Sequence, residues 1–395
     1  MISKENRGFI YGARILNSIL LIGLLFLLIT SCNKKMKSEH EFEYVINVSE
    51  SLSSEKETVK LSDYCSQINY IPLETHPECL LRNILKLEMT KRYIYVSDGR
   101  HVYMFDKQGQ FIREISKIGK GPEEHGKSIR FTLDQRNNEI LICDIRSYPA
   151  RVLIMNALNG SYKRTILINE QVDKVDFLSD GRLMFFTMDL SNRTSRFTTN
   201  EILLTDHNGN ILDSIQDNNR LLNHNNILGT IDKHSLNGSV YYMGNYKNKM
   251  YKVMDKFMKV PYVLFDYQNK VEYNDLYISP EKGEEFKDHI IIRRPVEDPN
   301  NLFFITQFGV MPPHLTKENF IFSKRTHQLI HTEKLINDVD GGMPFWPSFY
   351  TDNKLIMTSK ARDIITYREK NSGETLNKIA KDLKMDSNPV LVIAQ

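Results

Sequence analysis

Hydrophobic positions along the chain fall in short runs separated by polar turns, without long stretches at helical period. Runs such as Tyr93-Ile94-Tyr95-Val96 and Val102-Tyr103-Met104-Phe105 are β-branched and aromatic and end at polar residues, which predicts an all-β chain. The runs also come in pairs. Residues 102–115 (VYMFDKQGQFIREI), 152–166 (VLIMNALNGSYKRTI) and 202–215 (ILLTDHNGNILDSI) each predict two strands around a turn. The turns carry Gly109, Gly160 and Gly209, which lie 51 and 49 residues apart. Glycine supplies the positive φ that a tight hairpin turn requires.

Weaker copies extend the period. Residues 251–266 turn near Lys256 to Met258, residues 320–335 near Arg325 and Thr326, and residues 364–379 near Gly373. A polar insertion over about 268–301 fills the wide gap between the fourth and fifth copies. Six units of roughly fifty residues, each long enough for four strands, predict a six-bladed β-propeller with four-stranded blades over residues 58–395. A β-solenoid is the alternative, but its coils are shorter and its ends need not meet. Here Gln67 to Leu73 and Pro389 to Ile393 read as unpaired strands at opposite ends of the chain. Pairing them in the last blade removes the exposed edges that an open sheet must protect.

The N-terminus points beyond the cytoplasm. Lys4, Arg7 and Arg14 precede eleven apolar or Gly residues, Ile19 to Ile29. Such a run is too short to span a bilayer, which takes about 20 residues, and suits the apolar centre of a secretory signal. Ile29-Thr30-Ser31-Cys32 resembles a bacterial lipobox, which implies cleavage before Cys32 and acylation of its thiol. The alternative is an uncleaved signal anchor. Residues 1–31 thus read as a lipoprotein signal peptide and 32–57 as a lipid-anchored flexible tether. Removing residues 1–31 takes the formal charge from +3 to +1, which argues against nucleic-acid binding. Asn33-Lys34-Lys35 is not the acidic stretch associated with surface display, so the expected location is the outer membrane, facing the periplasm. Cys65 and Cys79 are candidates for a disulfide in an oxidising compartment, whereas Cys143, within an apolar run, reads as a buried small hydrophobe.

The segment GPEEHGKS at 121–128 fits the G-x-x-x-x-G-K-S/T phosphate loop letter for letter. A phosphate loop needs a following helix to supply amide donors. Here Ile129-Arg130-Phe131-Thr132-Leu133-Asp134 alternates as a strand, Pro122 has no amide hydrogen, and Glu123 and Glu124 would repel phosphate. No nucleotide site is expected. Glu123, Glu124 and His125 remain candidates for acid–base chemistry or metal ligation, against a solvated loop joining two blades. A second candidate is the segment 337–347, which holds the only tryptophan. Trp346 could stack on a sugar ring or cap an apolar ligand, and Asp338 and Asp340 offer oxygen ligands to a hard cation. The competing reading makes Trp346 a corner packed between blades. Neither G-x-S-x-G nor H-E-x-x-H occurs, and no metal motif is present.

Taken together, the lipobox, INYIPLET, YIYVSD, VYMFDKQGQFIREISKIGKGPEE, DGGMPFWPSF and the terminal NPVLVIAQ resemble the six-bladed β-propeller lipoproteins of Bacteroidetes-type bacteria, which are similar to NHL-repeat propellers. The resemblance covers nearly all of residues 58–395. It implies the fold and an envelope location, and no reaction. Where such proteins read G-K-G-P-G-E-Y, this chain has Gly119-Lys120-Gly121-Pro122-Glu123-Glu124-His125-Gly126. The expected role is a ligand- or protein-binding or scaffolding module held to the membrane by its lipid, with a protein or glycan partner on the loop face. The alternative is a lyase or hydrolase acting on a glycan or peptide at the channel mouth. No cofactor is identified, though a channel-bound divalent cation is compatible with either role.

Overall fold

The middle strands of each repeat are apolar at successive positions, so they must be covered on both faces. A computed structural model shows how, and describes residues 41–188, 198–218, 231–244, 247–270, 286–309, 315–371 and 373–395. Cys32 and the signal segment lie outside these residues, as does 271–285 of the expected insertion. Six antiparallel sheets stand as blades around a central axis. Blade 1 comprises Lys86–Met89, Tyr93–Ser97, Val102–Asp106 and Phe111–Glu114; blade 2 comprises Ile129–Asp134, Glu139–Asp144, Ala150–Asn156 and Tyr162–Ile168. Blade 3 comprises Val172–Phe177, Leu183–Thr187, Asn200–Thr205 and Ile211–Gln216; blade 4 comprises Ile231–Leu236, Ser239–Gly244, Lys249–Met254 and Met258–Asp266. Blade 5 is built from Ile290–Glu297, Asn301–Phe308, Thr316–Ser323 and Leu329–Thr332. In each blade the first strand is innermost. Enclosure falls toward the rim: the second strand of blade 2, Glu139–Asp144, is buried at every position, whereas the outer strand of blade 3, Ile211–Gln216, is largely exposed. Aromatic rings join the blades, as where Phe265 of blade 4 meets Phe304 of blade 5 at 5.0 Å.

Blade 6 closes the ring across the chain ends, as the terminal strands predict. Phe349–Thr351, Lys354–Ser359 and Val390–Ala394 are joined by the N-terminal strand Ile68–Pro72, which pairs antiparallel with Val390–Ala394 from Ile68↔Ala394 to Pro72↔Val390. The chain before this strand is also built in. Tyr44–Asn47 adds a fifth, parallel strand to blade 4 against Val263 to Asp266. Asn47 then caps the helix Val48–Leu52 by accepting from the Glu50 amide. Further on, Glu57 N donates to His331 O at 2.7 Å and Leu61 N to Ile336 O at 2.8 Å along the edge of blade 5. One N-terminal strap therefore covers the outer edges of blades 4, 5 and 6 in turn. The polar run that reads as a tether is ordered from Tyr44 onward, because these edges offer it backbone partners.

The repeat glycines have a second role that the sequence does not announce. Gly109 adopts φ +87°, and a Cβ on it would lie 2.2 Å from the Pro72 carbonyl of blade 6. Gly160 and Gly209 approach Ile115 and Ile166, beside the outer strands of blades 1 and 2. Each hairpin tip thus packs on the preceding blade. The tips share a side-chain brace: Asp106 Oδ1 accepts from the amides of Gln108 and Gln110, and Asp206 Oδ1 from those of Asn208 and Asn210. Asn156 accepts likewise from Leu158 and Asn159. In the glycine-free fourth and fifth copies, Phe257 and His327 take the left-handed position at φ 56° and 58°.

Three expectations are corrected. Residues 364–379 are not a strand pair: the chain forms helices Ala361–Lys370 and Glu374–Ala380, inserted between the second and third strands of blade 6. Ala361 and Ile364, then Leu376 and Ala380, are buried at helical spacing. The insertion ends earlier than expected, since Ile290–Glu297 is the inner strand of blade 5; its paired arginines mask an apolar strand. Cys65 and Cys79 are free thiols in different apolar clusters, one beside Leu61 and Phe303, the other beside Leu73 and Leu81. Burial raises the Cys79 thiol to about 12, which leaves little thiolate for exchange.

Candidate functional site

The innermost strands of all six blades converge on one cavity of ≈ 420 Å³, the central channel. These strands bring both polar and apolar residues to the cavity, as with Ile129, Arg130, Phe131 and Thr132 of blade 2. Lys86, Arg130, Lys174, Lys233 and Arg294 reach the wall, one from each of blades 1 to 5, with Asp232 and Glu297 among them. Phe131, Phe349 and Val296 supply apolar surface.

Most of these charges are matched. Lys86 pairs with Glu88 at 2.6 Å, and Arg130 Nε lies 3.9 Å from Asp173 Oδ1. Lys233 pairs with Asp176, whose Oδ2 also accepts from Ser235 Oγ at 2.8 Å. Burial alone would raise the Asp176 carboxyl, but the Lys233 ammonium beside it holds it below its ordinary value. Glu297 has no exposed side-chain surface. Its Oε2 lies 2.6 Å from His234 Nε2, and its Oε1 accepts from Lys324 Nζ at 2.8 Å and from the Tyr262 hydroxyl. Burial pushes the Glu297 carboxyl up, yet the His234 and Lys324 contacts bring it below the usual range. The Tyr262 hydroxyl is raised, by burial first and by Glu297 second. Enclosure lowers the Lys174 ammonium, against the opposing pull of Asp173 and Asp232.

Arg294 differs from the others. It has φ 50° in a bulge of the inner strand of blade 5, where the register shifts between Arg293 and Val296. Bulges of this kind re-aim side chains beside functional sites. Among the described residues nothing hydrogen-bonds or ion-pairs with its guanidinium.

The candidates read from the sequence lie elsewhere. The segment holding Glu123, Glu124 and His125 joins blade 1 to blade 2, and the segment holding Asp338, Asp340 and Trp346 joins blade 5 to blade 6. The structure brings neither segment to the channel wall. Glu124 accepts from Gly121 N at 2.8 Å and Asp144 from Gly126 N at 2.8 Å, so amides of the phosphate-loop look-alike are already used. The strand Ile129–Asp134 follows in place of a helix. His125 is buried, with Nδ1 at 2.7 Å from Gly126 O, and Glu123 is exposed. Asp338 accepts from Ser62 N at 3.0 Å and Ser62 Oγ at 2.7 Å, pinning the N-terminal strap. Asp340 accepts from Asn337 Nδ2 at 2.7 Å and Gly342 N at 3.0 Å. Trp346 is only 8% exposed and stands edge-on to Phe303 with centroids 5.9 Å apart. This placement is that of the packed corner given above as the competing reading of Trp346. Trp346→Ala is expected to cost about 3 kcal/mol of stability through the cavity left behind, seen as a lower urea midpoint. Among the described residues no three His, Cys, Asp or Glu side chains converge as a metal site.

Sequence reasoning passed over the channel cations. One signal was available: Lys86, Arg130 and Lys174 recur at a spacing of 44 in the first strand of successive repeats.

This architecture defines the class, a six-bladed β-propeller with a charged central channel. The chain belongs to the DUF4934 family, a domain of unknown function, whose model matches residues 43–395. It is similar to a protein of Bacteroides fragilis NCTC 9343 described as exported, with 16% identity, a TM-score of 0.70, and coverage of 89% of this chain and 99% of that one. A DUF4221 family member from Bacteroides vulgatus ATCC 8482 is 10% identical with a TM-score of 0.49, covering 84% and 96%. At 16% identity the first of these likenesses shows the fold alone. No curated protein matches the chain.

Proposed function

We propose that the protein is an envelope-anchored lipoprotein acting as a binding or scaffolding module, with the central channel as its ligand site. The observation that carries this reading is the convergence of polar and apolar groups from six blades on one cavity of ≈ 420 Å³, a volume that suits a small ligand. The anchoring rests on Ile29-Thr30-Ser31-Cys32 and is in keeping with the exported relative. A lyase or hydrolase on a glycan or peptide is the competing role. It needs an acid or base facing the cavity; His234 is engaged there by Glu297 through Nε2 with its Nδ1 buried, which leaves Asp232 and Lys174 as the wall groups such a role would use.

Two measurements test the proposal. Cys32→Ala should move the protein from the membrane to the soluble fraction, and continued anchoring would indicate an uncleaved signal anchor instead. Ser348→Trp, which plugs the channel wall, should abolish thermal stabilisation by any small molecule that stabilises the wild type. Ligands that stabilise the plugged protein equally well would move the site off the axis.

A further inference from the structure

Building on the channel reading, we infer that the site takes a small organic anion, a carboxylate or phosphate ester, gripped by Arg294. The charges on the wall and directly behind it are Lys86, Arg130, Lys174, Lys233, Arg294 and Lys324 against Glu88, Asp173, Asp176, Asp232 and Glu297. Six cations thus face five carboxylates. The contacts given above match Lys86, Arg130, Lys233 and Lys324 with carboxylates, and Lys174 lies within the fields of Asp173 and Asp232. Among the described residues, the unmatched positive charge is Arg294.

Its backbone sharpens the point. At φ 50° Arg294 holds a left-handed conformation that costs any residue bearing a Cβ, and it precedes Pro295, whose ring narrows the choices further. Glycine would fit there without penalty. A strained arginine on a channel wall, with no partner among the described residues, is positioned for something that enters the channel. A planar guanidinium presents paired donors that match a carboxylate or phosphate. Phe131, Phe349 and Val296 offer the apolar contacts for an organic body attached to that anion. The wall acids Asp232 and Glu297 limit the surplus to about one charge, so a singly charged ligand fits better than a polyanion.

Lys174 adds a pH dependence. Arg130, Asp173, Asp232 and Lys233 face it from blades 2, 3 and 4, and enclosure depresses its ammonium. An anion nearby favours the charged form, so binding takes up a proton and tightens as pH falls from the ordinary lysine range toward neutrality.

The test uses matched pairs titrated into the purified protein by calorimetry at low salt: glucuronate against glucose, glucose 6-phosphate against glucose, and benzoate against benzyl alcohol. The anionic member should bind at least ~10-fold more tightly, and added salt should weaken it. Arg294→Gly should lose ~10- to 100-fold in anion affinity while its melting temperature stays level or rises, a combination that a merely structural arginine would not give. Arg294→Lys should fall between. If neutral members bind as well as anions and Ser348→Trp abolishes both, the channel reading stands and the anion assignment fails. If binding survives the plug, both fail. Absence of binding by every anion of the panel at millimolar concentration also overturns the assignment.

Discussion

Glu297→Leu should lower the stability of the fold by about 3–5 kcal/mol, the largest effect expected of a single substitution outside the purely apolar core. The substitution strands three groups at once: Lys324 Nζ, His234 Nε2 and the Tyr262 hydroxyl, all held by a carboxylate with no exposed surface. Leaving a buried ammonium without its counter-charge costs far more than the pair contributes while intact. Urea unfolding at pH 7 measures the loss as a lower midpoint at nearly unchanged slope. The pH dependence follows from the depressed carboxyl. The Glu297 contribution is complete above the ordinary value of 4.5 and disappears as pH falls through the lower folded value. Wild-type stability should therefore fall on acidification below about pH 4.5, and the variant should lose less there. Replacing Glu297, Lys324 and His234 together by apolar residues should recover much of the deficit, because desolvation then ceases to oppose folding. An unchanged midpoint for Glu297→Leu would remove the network from the forces that join blades 4 and 5.

Truncation of the N-terminal strap gives the second large effect. A chain starting at Phe42 should melt like the full chain, since the strap's described contacts begin there, with Phe42 on Tyr251 and Tyr44 paired with Val263. A chain starting at Leu73 should fail to fold to a monomer. It lacks Ile68–Pro72, and so uncovers Val390–Ala394, a strand buried at every position and paired along its length with the missing segment. It also uncovers the edges of blades 4 and 5. Open apolar edges of this kind recruit other chains. Circular dichroism melts and size-exclusion profiles separate the outcomes. A monomeric Leu73 chain with wild-type melting would show that the ring does not depend on this closure.

Local chain chemistry is enough to specify the blades. A hairpin needs a left-handed turn residue, and Gly109, Gly160 and Gly209 supply it at nearly constant spacing. A strand covered on both faces needs continuous apolar residues, and Glu139–Asp144 and Leu183–Thr187 carry mainly those. These demands are met residue by residue, so the repeat and the terminal closure are legible in linear order. The same logic misleads where a fifty-residue period passes over residues 361–380, whose buried positions fall at helical spacing. The inner strand of blade 5 is also obscured, because Arg293 and Arg294 interrupt its apolar run at a bulge.

The site depends on ring closure. Lys174, Lys233 and Arg294 are 59 and 61 residues apart in the chain, and become neighbours of one cavity only when six blades meet at an axis. Conversely Trp346, conspicuous as the sole tryptophan, packs edge-on against Phe303 of blade 5, a contact between residues 43 positions apart. The turns, strands and repeat follow from the chain because φ preference and apolar period act over a few residues. Which charges lack partners, and which side chains line the channel, follows from the closed ring, because Coulomb energy and desolvation depend on separation and enclosure in space.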